Sequence, residues 1–309
     1  MSQCIPCYRI LLMSGELEQR AQEAYTHLSI CDVCALNCPV DRTSGKLGAC
    51  KTGIKAKVSS FAPHHGEEQV LRGWRGSGTI FFTRCNLRCQ YCQNYDISQT
   101  EAGAEMNAED IARMMLDLQA QGCHNINFVS PSHVVPQIIA AVLIAAKAGL
   151  QIPLVYNTGG YDSLPILKLL DGVIDIYMPD MKYGNSSIGH KYSKIPQYAE
   201  VNQVAVREMY RQVGDLQVDK DELAFRGLLV RHLILPNSLA GTEKIVQFLS
   251  NELSKHTYIN LMDQYHPTYK AIQYPELNRP ITSIEYQAVL KLAIDSGLHR
   301  FDRYHYLDL

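Results

Sequence analysis

The chain reads as an α/β protein, a partial (β/α)6 TIM-like barrel carrying a small N-terminal cysteine-rich module. Two observations predict it. From Gly76 onward, six short β-rich runs alternate with amphipathic helical stretches, and strands joined through helices run parallel with right-handed crossovers. Ahead of that series, cysteines cluster among Pro and Gly residues in the pattern of a metal-bound loop. The division falls at residues 1–72 for the module and 73–309 for the barrel.

In chain order, an N-terminal helix with Glu16, Glu18, Gln19 and Arg20 on its polar face leads into Cys31-x2-Cys34-x3-Cys38, followed by Cys50. Pro39, Gly45, Gly48 and Gly53 supply the turns that bend backbone around a metal. Four thiolates close a tetrahedral zinc site or bind an auxiliary iron–sulfur cluster, and the spacing does not choose between them. Cys4 and Cys7 read as a mobile, occasionally oxidised tail, and as alternative ligands of the module. Strands are expected at Thr79 to Thr83, Asn125 to Val129, Ile152 to Asn157, Val173 to Met178, Leu228 to Leu235 and Tyr258 to Asp263. Cys123, before the second of these, reads as a buried thiol without function. The apolar stretch Val134 to Leu150 is broken by Pro136, Gln137 and Lys147 and reads as a buried helix, too short for a membrane span. Tyr183 to Ala199, rich in Gly, Asn and Ser, reads as a long mobile lid over the barrel mouth.

The 309 residues hold 10 cysteines, and the net charge is −2. With a pI near 6.6, that balance argues against a nucleic-acid binder and shows no long basic run. Clustered cysteines behind a start that lacks a signal-peptide pattern fit metal ligation in a reducing cytoplasm better than disulfides.

The run Phe81-Phe82-Thr83-Arg84-Cys85-Asn86-Leu87-Arg88-Cys89-Gln90-Tyr91-Cys92-Gln93-Asn94 places three cysteines directly after the first strand. A cubane of four irons held by three thiolates leaves one iron without a protein ligand, and that iron is open to chemistry. A zinc knuckle is the competing reading, but its fourth ligand is missing locally.

This motif resembles the radical S-adenosylmethionine (SAM) superfamily. Gly76-Ser77-Gly78-Thr79-Ile80-Phe81-Phe82, Cys92-Gln93-Asn94 and Arg231-His232-Leu233-Ile234-Leu235-Pro236-Asn237 narrow the resemblance to the glycyl-radical activating enzymes typified by pyruvate formate-lyase activating enzyme, and to their activating-enzyme-like relatives. The resemblance implies a 4Fe-4S cluster on Cys85, Cys89 and Cys92, with SAM chelating the open iron. It puts Tyr91 beside the adenine. Tyr156-Asn157-Thr158-Gly159-Gly160 and Met178-Pro179-Asp180-Met181-Lys182 resemble the turns that line the nucleoside and methionine of SAM, so the implied cofactor-binding set is Tyr91, Asn94, Ser130, Asn157, Thr158, Asp180 and Lys182. A monovalent cation of the family would map onto Thr158, Met178 and Asp180, although Asn157 replaces its first acidic ligand. Asp180 and Lys182 also read simply as an ion pair at a strand end.

The family's Gly-Gly-Glu turn is replaced by Ser130-Pro131-Ser132-His133, where backbone carbonyls remain to meet the SAM amino group. Ser132 reads as a helix cap ahead of a ligand, and His133, left unassigned, as a surface or capping group ahead of one that touches substrate. Tyr156, Tyr161, Tyr177, Tyr183, Tyr192 and Tyr198 read as rim packing ahead of any radical relay.

Three functions follow. The first is activation of a partner glycyl-radical enzyme by hydrogen abstraction. The second is radical modification of another peptide or a small molecule, and the third is a non-catalytic zinc or metal-binding protein. Either enzymatic reading requires an electron donor of the flavodoxin or ferredoxin type, and no nucleic acid or membrane partner.

Overall fold

The computed structural model describes residues 5–302, so Cys4 lies outside the described residues. The strands among them are β1 Ala56–His64, β2 Ser77–Phe82, β3 Ala104–Met106, β4 Ile126–Val129, β5 Leu154–Thr158, β6 Ile176–Pro179, β7 Gln217–Val218, β8 Ala224–Leu233, β9 Tyr258–Met262 and β10 Arg300–Phe301. They form one sheet in the order β10-β9-β8-β6-β5-β4-β2-β1-β3, with β7 paired to β8. The run from β2 through β4, β5, β6, β8 and β9 is parallel throughout, and these are the six strands expected. No pairing among the described residues joins β10 to β3, so the barrel is open, as expected of a partial barrel.

Helices cover the outer face, which is why the central strands are buried on both sides and read as apolar runs. Helix Val135–Lys147 is the buried helix expected, with Pro136 in its first turn where a missing N–H costs nothing. Helix Glu16–Thr26 buries Leu17, Ala21 and Ala24, a narrow stripe with i, i+4, i+7 spacing. Those residues join one hydrophobic core with Ile138, Val142 and Ala145 of helix Val135–Lys147. Cys123 is buried in the same core. Among the described residues no helix is long and apolar enough to cross a membrane.

Two features depart from expectation. Cys7 is no mobile tail: it opens helix Cys7–Ser14, its backbone N–H donates to Asp175 Oδ1 at 2.7 Å, and its sulfur meets the Arg226 guanidinium. Asp175 immediately precedes β6, so Cys7 sits at the opposite end of the barrel from the loops that follow the strands.

The second departure is β1, which runs antiparallel to β2 and returns the chain to the barrel floor. There the short helix Gln69–Arg72 plugs the lumen. Its Leu71 packs with Val155, Ile176, Met178, Leu229 and Tyr258. Ser60, Phe61 and Ala62 of β1 are all exposed and Pro63 follows them, so the strand lacks the alternation that would mark it in sequence.

Candidate active site at the barrel mouth

At the carboxyl end of β2 the chain turns through Arg84, whose φ is 73°. The following loop is fixed by backbone bonds from Arg88 N–H to Ser193 O at 3.0 Å and from Gln90 N–H to Tyr192 O at 2.7 Å. Each expected cluster thiol has a local polar neighbour. The Leu87 N–H donates to Cys85 Sγ at 3.4 Å, Ser193 Oγ lies 3.0 Å from Cys89 Sγ, and Ser98 Oγ lies 3.1 Å from Cys92 Sγ. Burial pushes the Cys85 and Cys89 thiols up, the latter to about 12, against the pull of nearby Lys182. Three thiols on one loop, each beside a hydroxyl or a backbone N–H that can meet a cluster sulfur, are a donor set that fits an iron–sulfur cluster.

The turn after β4 is buried. Ser130 has a φ of 58° and donates its N–H to Asn157 O at 2.9 Å. Ser132 does not cap the next helix. Its hydroxyl lies 2.9 Å from Thr158 Oγ1, which donates to Asp162 Oδ2 at 2.7 Å. His133 is no surface group: it is 1% exposed, its Nε2 meets Thr83 O at 3.1 Å, and burial pulls its pKa down to about 4. The capping signal misled because the turn folds inward onto β5, and Val134, which has no polar side chain, takes the N-cap position.

After β5 and β6 the expected residues meet. Arg231 of β8 donates from Nε to Asp180 Oδ1 at 2.9 Å and from Nη2 to Asn157 Oδ1 at 2.6 Å, while Lys182 Nζ reaches Asp180 Oδ2 at 2.5 Å. Burial pushes the Asp180 carboxyl up, but the Arg231 and Lys182 cations outweigh it and hold it below the usual range. The ion pair read at this strand end is therefore present. Gly160, with φ 76°, is required here, since a Cβ would collide with the Asp180 carbonyl and the Asn202 amide. Asn94, exposed at the end of the cysteine loop, and Asn157 line one wall of a cavity of about 480 Å3 that descends through the lumen to Glu67 and Glu68.

The segment expected to be a mobile lid is packed structure. Asn185 caps helix Ser186–Ser193 by accepting from Ser187 N–H at 2.9 Å, and Tyr183, Tyr192, Ile195 and Tyr198 are buried beneath it. Its Gly and Ser content suggested a loop, whereas the buried tyrosines anchor it. Tyr91 donates to Tyr183 OH at 2.6 Å, and that hydroxyl lies 2.8 Å from Ser193 Oγ, so a hydrogen-bonded line runs from Tyr91 to Cys89. The other rim tyrosines are buried as expected.

Cys31, Cys34 and Cys50 are buried and Cys38 is half-buried. Burial pushes the Cys34 thiol up, and Cys50, Cys31 and Cys38 lie near enough to add to the effect. Among the described residues no three Cys, His, Asp or Glu side chains converge as a single-ion site. The two cysteine groups are neighbours at the mouth. Cys34 bridges to Asp162, Arg88 of the cluster loop reaches the Ala49 carbonyl, and Ala35 and Leu36 pack into the cluster around Cys89.

Arg231, Glu67, Glu68, Ser193 and the fully buried Arg42 were not singled out from sequence as site residues. For Arg231 a signal existed, since it shares one face of β8 with Leu229 and Leu233, two positions away on either side.

The model described as the radical SAM superfamily matches residues 79–212. An uncharacterised protein of Methanocaldococcus jannaschii is 31% identical over 285 residues, 90% of this chain and 78% of that protein. The chain belongs to the radical SAM superfamily. As a radical SAM protein it falls in a family that binds a 4Fe-4S cluster and SAM. The pyruvate formate-lyase 1-activating enzyme of Escherichia coli strain K12 is 27% identical over 207 residues, 60% of this chain and 78% of that enzyme. Among solved structures, a radical SAM methyltransferase from Sphaerobacter thermophilus covers 94% of this chain and 91% of its own at 12% identity and a TM-score of 0.48, too loose a likeness to argue from.

Proposed function

We propose that the chain abstracts hydrogen from its substrate by radical SAM chemistry, with Cys85, Cys89 and Cys92 holding the cluster and Tyr91, Asn94, Ser130, Asn157, Thr158, Asp180 and Lys182 forming the SAM site. When bound, the reduced cluster and SAM supply a deoxyadenosyl radical. The observation that carries this reading is the placement of three hydroxyl- or amide-neighboured thiols, Cys89 buried and Cys85 and Cys92 half-buried, at the end of the first barrel strand, near the Asp180, Lys182 and Arg231 charges. Asp180 holds the Lys182 ammonium in place, Arg231 orients Asn157, and the packed helix Ser186–Ser193 keeps water off Cys89 and Tyr91.

The likeness to the E. coli activating enzyme supports activation of a glycyl-radical enzyme. Modification of a small molecule is the second reading, favoured by the charged lumen cavity beneath the mouth. Residues 1–72 act as a cysteine-rich metal-binding module in which Cys31, Cys34, Cys38 and Cys50 draw together on binding to hold zinc or an auxiliary cluster. The electron comes from a flavodoxin- or ferredoxin-type donor in a reducing cytoplasm.

Anaerobic reconstitution with iron, sulfide and zinc analysis tests this, together with deoxyadenosine formation from SAM under reduction. About four irons per chain with deoxyadenosine supports the reading with a zinc module, and about eight makes the module an auxiliary cluster. Zinc alone without SAM cleavage overturns it. Cys85→Ala, Cys89→Ala and Cys92→Ala should each abolish deoxyadenosine formation.

A further inference from the structure

The lumen carries more charge than a barrel wall needs. Its cavity is bounded at the mouth by Asn94 and Asn157 and reaches down to Glu67 and Glu68, which enter from the plug below. Among the described lining residues, the carboxylates of Glu67, Glu68 and Asp302 face the single guanidinium of Arg231 and the imidazoles of His64 and His65. Arg231 is already committed to Asp180 and Asn157, and its Nη1 stays 4.0 Å from Glu67 Oε2.

Two orphaned groups point to a missing ligand. Glu68 is 5% exposed; its Oε1 accepts from Asn260 Nδ2 at 2.9 Å, its side chain meets the Glu67 carboxyl, and its Oε2 has no other partner. Asn127 is fully buried, and neither its Oδ1 nor its Nδ2 has a partner. It precedes Val129 by two positions on β4, so it shares the lumen face of a residue that lines the cavity. Buried polar groups are rarely left unpaired without a reason, because each costs about 1–3 kcal/mol.

We propose that this lumen is a binding site for a small-molecule organic cation, an alkylammonium or alkylguanidinium, seated on Glu67 and Glu68. The inference rests on the hydrogen-abstraction reading and names the chemistry of its substrate. An anion would face the Glu68 and Asp302 carboxylates, and a neutral alcohol would leave the Glu68 charge without a cation. The Phe81, Val129 and Met262 walls suit an alkyl stem that leads from the acids toward the mouth. Burial and then the Glu68 charge push Glu67 up to about 8, with Arg231 pulling it down and Asp180 adding to the rise. A bound ammonium relieves that repulsion, and its arrival releases a proton near neutral pH.

Calorimetric titration of the reconstituted full chain with 1-butylammonium, 1-butylguanidinium, 1-butanol and butyrate tests the site. The expected result is that at least one cation binds about tenfold tighter than butanol or butyrate, and that Glu68→Gln and Glu67→Gln each weaken it by about tenfold. Cation and alcohol binding equally weakly overturns the proposal, as does unchanged cation affinity in both variants at wild-type melting temperature. Stoichiometric displacement of the cation by SAM also overturns it, since the acids would then belong to the SAM site. A wild-type chain that forms deoxyadenosine yet binds no cation refutes this inference alone. A chain that forms none refutes the hydrogen-abstraction reading, while the titration still reports on the lumen.

Discussion

Arg42 Nη1 donates to the backbone carbonyl of His133 at 2.9 Å, joining the N-terminal cysteine segment to the turn that follows the second parallel strand. The same guanidinium donates from Nε at 3.0 Å and Nη2 at 2.7 Å to Gly53 O, and its Nη1 lies 3.8 Å from Cys31 Sγ. Arg42 is fully buried, so nothing else replaces those bonds. Arg42→Met keeps the volume but strands two carbonyls, and is expected to cost about 3 kcal/mol in urea unfolding. Arg42→Lys should recover less than half, because one ammonium cannot span the fork. Full rescue by lysine would show that charge alone matters.

The parallel strands and the three-cysteine loop were legible in sequence because each carries a local signal, a short apolar run or fixed spacing. What escaped depends on contacts between distant segments. Nothing local marks Arg42 before Gly53 and His133 converge on it, and nothing local marks Glu67 and Glu68 before β1 carries them back beneath the lumen. The segment around helix Ser186–Ser193 was misread for the same reason, since Tyr183 and Tyr198 become anchors only once the cysteine loop lies beneath them.

His232 is fully buried, with Nδ1 2.6 Å from Met181 O and Nε2 2.8 Å from Thr242 Oγ1. Burial pulls its pKa from 6.5 down to about 4. The unfolded chain therefore takes up the proton first, so the stability this residue contributes above pH 6.5 is lost as pH falls toward 4. Asp175 and Glu67, pushed up to about 6 and about 8, act in the opposite sense, which makes the raw pH profile ambiguous. A difference removes them. The stability gap between wild type and His232→Gln should narrow by roughly 2.5 kcal/mol between pH 7 and pH 4.5. A gap that stays constant would mean that the imidazole titrates alike in both states.

Ser193 lies between the Tyr183 hydroxyl and Cys89 Sγ. Hydrogen bonds to cluster sulfurs favour the reduced state by offsetting its extra negative charge. If Cys89 is a ligand, Ser193→Ala should lower the reduction potential, read by a redox titration followed by electron paramagnetic resonance. Ser98→Ala should act in the same direction through Cys92. An unshifted potential in both variants would remove these hydroxyls from the site.

Asp180 is held between Arg231 and Lys182 with its side chain 13% exposed. Asp180→Asn keeps the shape but leaves two buried cations facing one another, a loss of about 3 kcal/mol. Glu67 is the next anion along, 4.0 Å from Arg231, and the Asp180 charge is one of the influences that raise its pKa. Removing Asp180 should lower the Glu67 pKa and make its carboxylate a better counterion to Arg231. Glu67→Gln alone should then cost little near pH 7, where the wild-type carboxyl is largely protonated. In the Asp180→Asn background the same change should cost more, giving a coupling of about 1 kcal/mol in a double-mutant cycle. Strict additivity would mean that Arg231 does not link the SAM-side carboxylate to the lumen acids, and that the two ends of the cavity are electrostatically independent.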